Sequence, residues 1–162
     1  MEKTHKYIQS IVNAMKTLHK GKISFVDKGD NWSVNVEVEW NKRITKTTIK
    51  SKKVDLKSDF ASCKLSKSNF LTNLSYIFSS YIISHRSEAY SFSGTKSEYS
   101  EAILMSKATI PLMESKNPVI GLEGKYLIFS GGTRKKDISS LSNIFKLNEV
   151  LMKEIDKNKL NK

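Results

Sequence analysis

Between Trp32 and Trp40 the chain alternates without a break, with Trp32, Val34, Val36, Val38 and Trp40 on one side and Ser33, Asn35, Glu37 and Glu39 on the other. Successive side chains of a β-strand point to opposite faces, so this period of two specifies a strand with one apolar and one polar face. Such a strand belongs in an antiparallel sheet that covers a core with one side only. Aromatic rings on an open sheet can stack on unpaired bases. Here the intervening valines would be exposed with them, at a cost of about 1.5–3 kcal/mol each relative to burial. The tryptophan pair is therefore expected in the core.

The neighbouring segments extend this picture. Tyr7, Ile8, Ile11, Val12, Met15 and Leu18 recur at helical spacing, which predicts a helix over Lys3 to Lys20 with Gly21 as its C-terminal cap. Ile23 to Asp27 reads as a short strand before a turn at Lys28-Gly29-Asp30-Asn31. Asn41-Lys42 turns the chain into a second run, Arg43 to Lys50, which is rich in Thr and Ile but has no clean apolar face. It reads as an edge strand. Phe70, Leu71, Leu74, Ile77, Phe78, Tyr81 and Ile82 predict a helix over Lys67 to Ser84.

Ala89 to Phe92 is a candidate short strand before Gly94, and Glu98 to Met113 reads as a helix that Pro111 should kink or interrupt. Val119 to Leu122 and Tyr126 to Phe129 flank Glu123-Gly124-Lys125 as a hairpin, and Gly131-Gly132 is expected to break the second strand. Asp137 caps a final helix whose stripe is Ile138, Leu141, Ile144, Phe145, Leu151, Met152 and Ile155. The class is α+β: an antiparallel sheet of about five strands, including two hairpins, against three to four helices. With no repeat and no Pro/Gly linker, residues 1–156 read as one domain and residues 157–162 as a frayed basic tail.

Charge is the strongest global signal. The chain of 162 residues has a formal net charge of +12, a field that attracts nucleic acid, anionic membrane or an acidic protein. Its 25 lysines far outnumber its 3 arginines. Arginine is the preferred reader of guanine edges and the better phosphate clamp, so the balance argues against base-specific readout and leaves non-specific attraction open. Lys, Ile, Asn and part of Ser also draw on A/T-rich codons, which gives a compositional source for the same charge. The most apolar window, Phe70 to Ile83, is 14 residues long with Thr72, Asn73, Ser75, Ser79 and Ser80 inside it, too short and too polar for a bilayer span of roughly 20 residues. The first 20 residues scatter Lys3, Lys6, Lys16 and Lys20 and contain no apolar stretch of signal-peptide type. The single cysteine, Cys63, agrees with a reducing, cytoplasmic compartment.

Two basic constellations stand out. From Lys42 to Lys57 there are seven basic residues and one acid, Asp55. In an extended strand Lys42, Lys46 and Lys50 share a side about 13 Å apart, near the separation of every second phosphate along a strand. With Arg43, Lys52 and Lys53 they form a candidate phosphate-tracking ridge; the plainer reading is a solvated edge strand whose lysines block edge-to-edge pairing. The second is Gly131-Gly132-Thr133-Arg134-Lys135-Lys136 before a helix, where backbone N–H groups and Arg134, Lys135 and Lys136 could hold an anion. It matches no phosphate-loop spacing, and a basic connection is the simpler account.

Catalytic readings are weaker. Glu37 and Glu39 share a strand face without a fitting lysine or third carboxylate, and Glu123-Gly124-Lys125 has the letters of a nuclease motif on a turn. His5, His19 and His85 give no zinc spacing, Cys63 has no histidine nearby in sequence, and His85-Arg86-Ser87-Glu88 is too mixed to assign. No cofactor or metal is implied. The expectation is a non-catalytic module for nucleic acid or an acidic protein, with no membrane role, acting through Lys42, Arg43, Lys46, Lys50, Lys52 and Lys53 and through Arg134 to Lys136. The rival is a protein-interaction or assembly factor, a homodimer included, whose contact surface is an edge strand or a helix face.

Overall fold

The computed structural model describes residues 2–67 and 90–159. In chain order the elements are α1 (Glu2–Thr17), β1 (Gly21–Lys28), β2 (Trp32–Trp40), β3 (Ile44–Lys53), β4 (Cys63–Lys67), β5 (Tyr90–Gly94), α2 (Glu98–Met105), α3 (Thr109–Met113), β6 (Lys116–Glu123), β7 (Tyr126–Arg134) and α4 (Ile138–Lys159). The strands form one sheet in the order β1-β2-β3-β7-β6-β4-β5, and every neighbouring pair is antiparallel. The α+β class holds, with seven strands among the described residues in place of about five. The short run Cys63–Lys67 supplies a strand the pattern did not announce. The helix expected over Lys67 to Ser84 lies outside the described residues, apart from Lys67 itself, which ends β4. Among the described residues no helix is long and apolar enough to cross a membrane.

The alternation of β2 is realised as expected. Trp32, Val36, Val38 and Trp40 are buried in one cluster with Ile11 and Met15 of α1 and with Leu141, Ile144, Phe145, Leu151 and Ile155 of α4. Each indole N–H finds an acceptor: Trp32 donates to the Asp156 carboxylate at 3.0 Å, and Trp40 donates to the Leu18 carbonyl at 3.1 Å. The second bond satisfies a carbonyl just past the end of α1, which stops at Thr17, short of Lys20. Gly21 is therefore not a helix cap but the first residue of β1. A Cβ there would lie 2.5 Å from the Trp40 ring, so the tryptophan seals against bare backbone.

β3 is not an edge strand. It pairs with β2 on one side, from Trp32↔Lys53 to Trp40↔Thr45, and with β7 on the other, from Ile44↔Arg134 to Lys52↔Tyr126. Its core-facing row, Thr45, Thr47, Ile49, Ser51 and Lys53, is buried although mostly polar. Groups outside the strand make that possible: Asn148 of α4 donates to the Ser51 hydroxyl at 3.1 Å, and the distant Asp156 and nearby Asp55 pair with Lys53. Among the described residues the outer strands are β1 and β5.

The remaining differences are local. The helical stretch 98–113 breaks at Ser106, whose ψ of 134° is extended, and Pro111 sits in the first turn of α3, where its missing N–H costs no helix bond. The expected hairpin is present, with Gly124 at φ +56° in its turn. Gly131 and Gly132 do not break β7, which runs through to Arg134; a Cβ on Gly131 would lie 2.3 Å from the Ser115 hydroxyl. Asp137 caps α4 by accepting from the Ser140 backbone N–H at 2.9 Å. α4 continues through Lys159, past the expected start of fraying at Lys157, and residues 160–162 lie outside the described residues.

Candidate polyanion-binding surface

The two basic constellations meet in space. Asn41 closes the β2–β3 turn: its Oδ1 accepts from the N–H groups of Arg43 at 2.8 Å and Ile44 at 3.0 Å. The Lys135 N–H donates to the Arg43 carbonyl at 3.0 Å, so the β7–α4 connection runs beside that turn. A third segment joins them at the start of β6. The register shifts between Lys116 and Val119, with Asn117 at φ +50°, and the irregularity leaves Lys116 opposite Gly132. Lys42, Arg43, Lys116, Arg134, Lys135 and Lys136 thereby line one groove of about 890 Å³ at the end of the sheet.

Two carboxylates also line the groove, Glu114 and Asp137. Asp137 is engaged by its capping bonds: the backbone N–H of Ser140, followed by the Ser140 hydroxyl at 2.7 Å, holds its carboxyl below the ordinary aspartate value. Lys135 is partly committed too, since its ammonium donates to the Leu18 carbonyl at 3.1 Å. Lys46 and Lys116 flank Gly132 on neighbouring strands; Lys116 and Gly132 line the groove, and Lys46 is exposed beyond it.

The groove is walled by Ser140, Asn143, Ile144 and Leu147 of α4, and further cations stand on the face of the sheet opposite α1 and α4. Lys46, Lys50 and Lys52 of β3 are exposed on that face. Lys50 shares a cross-strand row with Ile128, Gly121 and Lys64. The carboxylates of β2 on this face are occupied: Lys22 pairs with Glu37 at 2.8 Å and with Glu39 at 3.3 Å. The hydrogen bond from Lys22 keeps the Glu37 carboxyl below its ordinary value. By contrast, the outward side of α4 interleaves Lys146, Lys153 and Lys157 with Glu149 and Glu154, and Lys157 pairs with Glu154 at 3.1 Å.

Lys53 does not join this surface. It faces the core at 1% exposure, with its ammonium 2.6 Å from Asp156, 3.0 Å from Asp55 and 5.0 Å from the Trp32 ring centroid. Burial disfavours its charge, but the bonds to Asp156 and Asp55 outweigh burial and leave its pKa above the ordinary lysine value. The other eight expected residues line the groove or the open face. Lys116, Lys22, Lys64 and Tyr126 share these surfaces and were not singled out in the sequence, where each stands in a different segment with no local signature.

Among the described residues no three His, Cys, Asp or Glu side chains are grouped to hold a metal ion. Cys63 is buried, and desolvation raises its thiol pKa. Glu123-Gly124-Lys125 forms the β6–β7 turn, where the Lys125 ammonium donates to the Leu56 carbonyl at 2.9 Å. His85-Arg86-Ser87-Glu88 lies outside the described residues. Comparison of the chain with protein-family models, curated proteins and solved structures finds no match.

Proposed function

We propose that the protein is a non-catalytic binding module for a polyanion, most simply nucleic acid, held by electrostatic attraction to the groove and the open sheet face. The observation that carries this reading is convergence. Six cations from three separate chain segments line one groove, and Lys46, Lys50 and Lys52 of β3 share the open face of the sheet. Charge that merely reflected composition would have no reason to gather where β3, β6 and β7 meet. The lysine excess suits phosphate neutralisation rather than base reading.

Binding of this kind releases counterions, so affinity must fall with salt. If six cations each neutralise one duplex phosphate, affinity drops by about 10³-fold between 50 and 200 mM salt. Fluorescence anisotropy with a labelled DNA duplex at several salt concentrations measures that slope. The charge-reversal pair Lys42→Glu and Arg43→Glu should flatten it by about two. Affinity that is unchanged across this salt range, or a slope that the pair leaves intact, would reject the reading.

A further inference from the structure

The open face holds a feature that charge alone does not explain. Tyr126, the first residue of β7, is 39% exposed there and lies directly across from Lys52, while Ile128 lies across from Lys50. These four residues, with Ser33 and Asn35 of β2, border a shallow depression of about 620 Å³, closed at one end by Glu123 and Gly124 of the hairpin turn. Lys50 and Lys52 lie two residues apart on β3, about 6.7 Å along the strand, and adjacent strands are about 4.8 Å apart. Two ammonium groups, an aromatic ring, an aliphatic floor and an amide thus border a hollow whose size is ordinary for one small ligand.

We infer that this depression seats one nucleotide of a single-stranded polynucleotide, with the base stacked on Tyr126 and the flanking phosphates neutralised by Lys50 and Lys52. This rests on the polyanion reading above and narrows it. A duplex keeps its bases inside the stack and offers phosphates and groove edges, so the ring would have nothing to stack on. A sulfated or carboxylated polymer would use the lysines and leave the ring idle. A single strand uses both, since every base has a π-face. Asn35 and Ser33 offer donors and acceptors to a base edge without demanding one base, in keeping with the shortage of arginine.

Anisotropy titrations with labelled dT12, rU12, a 12-base-pair duplex and heparin, at one moderate salt concentration, test the proposal. The wild-type protein should bind dT12 or rU12 several-fold more tightly than the duplex, and the tighter of the two identifies the natural strand as DNA or RNA. Tyr126→Ala should weaken single-strand binding by roughly 5- to 150-fold, the effect of losing one stacked base. It should leave heparin within twofold, and Tyr126→Phe should retain the wild-type affinity. A duplex preference in the wild type, or equal losses for heparin and dT12 in Tyr126→Ala, overturns the single-strand assignment while the polyanion reading stands. Failure of all four probes to bind overturns both.

Discussion

Replacing Lys53 with Met separates the inward cation from the outward ones. Its ammonium is almost wholly enclosed, at 2% side-chain exposure, between Asp156 at 2.6 Å and Asp55 at 3.0 Å, whose side chains are 32% and 37% exposed. Breaking a fully buried pair costs about 3–5 kcal/mol, and an exposed pair contributes about 0.2–1 kcal/mol. Two carboxylates that keep about a third of their exposure place the loss between these limits, at about 2–3 kcal/mol. Urea denaturation followed by tryptophan fluorescence measures it well, because Trp32 touches both Lys53 and Asp156.

The pH dependence supplies a second reading of the same variant. The pKa of Lys53 is raised in the folded state, so its contribution is complete below the ordinary value of 10.5 and is lost as pH climbs through the folded value. The stability gap between wild type and Lys53→Met should therefore be constant from pH 7 to 10 and narrow above that. Affinity for a polyanion should stay within about twofold, because the removed charge is locked against two carboxylates. Equal urea midpoints, or a large loss of binding in a stable Lys53→Met protein, would refute the placement of this residue.

Other expectations follow from single contacts. Trp32→Phe leaves the Asp156 carboxylate without the indole donor and also loses part of the buried ring, and should cost at least about 1.5–3 kcal/mol in urea denaturation followed by circular dichroism. Gly21→Ala drives a methyl into the Trp40 ring and should destabilise by about 1–3 kcal/mol, whereas Gly29→Ala should be much milder. Asp137→Ala removes both a helix cap and a groove carboxylate, so calorimetry should show a lower Tm while anisotropy shows tighter polyanion binding. Because the Asp137 pKa is depressed, its stabilisation is present above the ordinary value of 3.8 and disappears as pH falls through the folded value, a loss that the alanine variant should not show. Cys63 should react with a thiol reagent only at the rate of unfolding, since it is buried and its pKa is raised.

How far the fold could be read from the chain depended on where each residue's partners lie. β2 was legible because its own alternation records which face is buried, and α4 because its stripe and Asp137 are both local. β3 was misread because the features that make it central are not in it. Thr45, Thr47, Ser51 and Lys53 look solvent-facing until Asn148 and Asp156, about a hundred residues later in the chain, satisfy two of them. Gly131-Gly132 carries the letters of a break, yet what selects glycine at position 131 is the approach of Ser115, which no local window contains. For the candidate site, the chain announced two basic runs, and their meeting at the Arg43–Lys135 backbone bond could only come from the fold. The addition of Lys116 by a strand irregularity, and of Tyr126 by register with Lys52, had the same origin.

On the proposed function a polyanion meets the end-of-sheet groove, which the first turns of α4 help to wall, and the β3 lysines of the open face, while the outward side of the C-terminal half of α4 takes no part. Amide chemical-shift mapping during titration of isotope-labelled protein with dT12 tests it without any substitution. Perturbations should concentrate at Arg43, Lys46, Lys50, Lys52, Lys116, Tyr126 and Gly132 to Lys136, with Lys153 and Lys157 unmoved. Shifts centred on the C-terminal half of α4, or scattered evenly over both sides of the sheet, would contradict it.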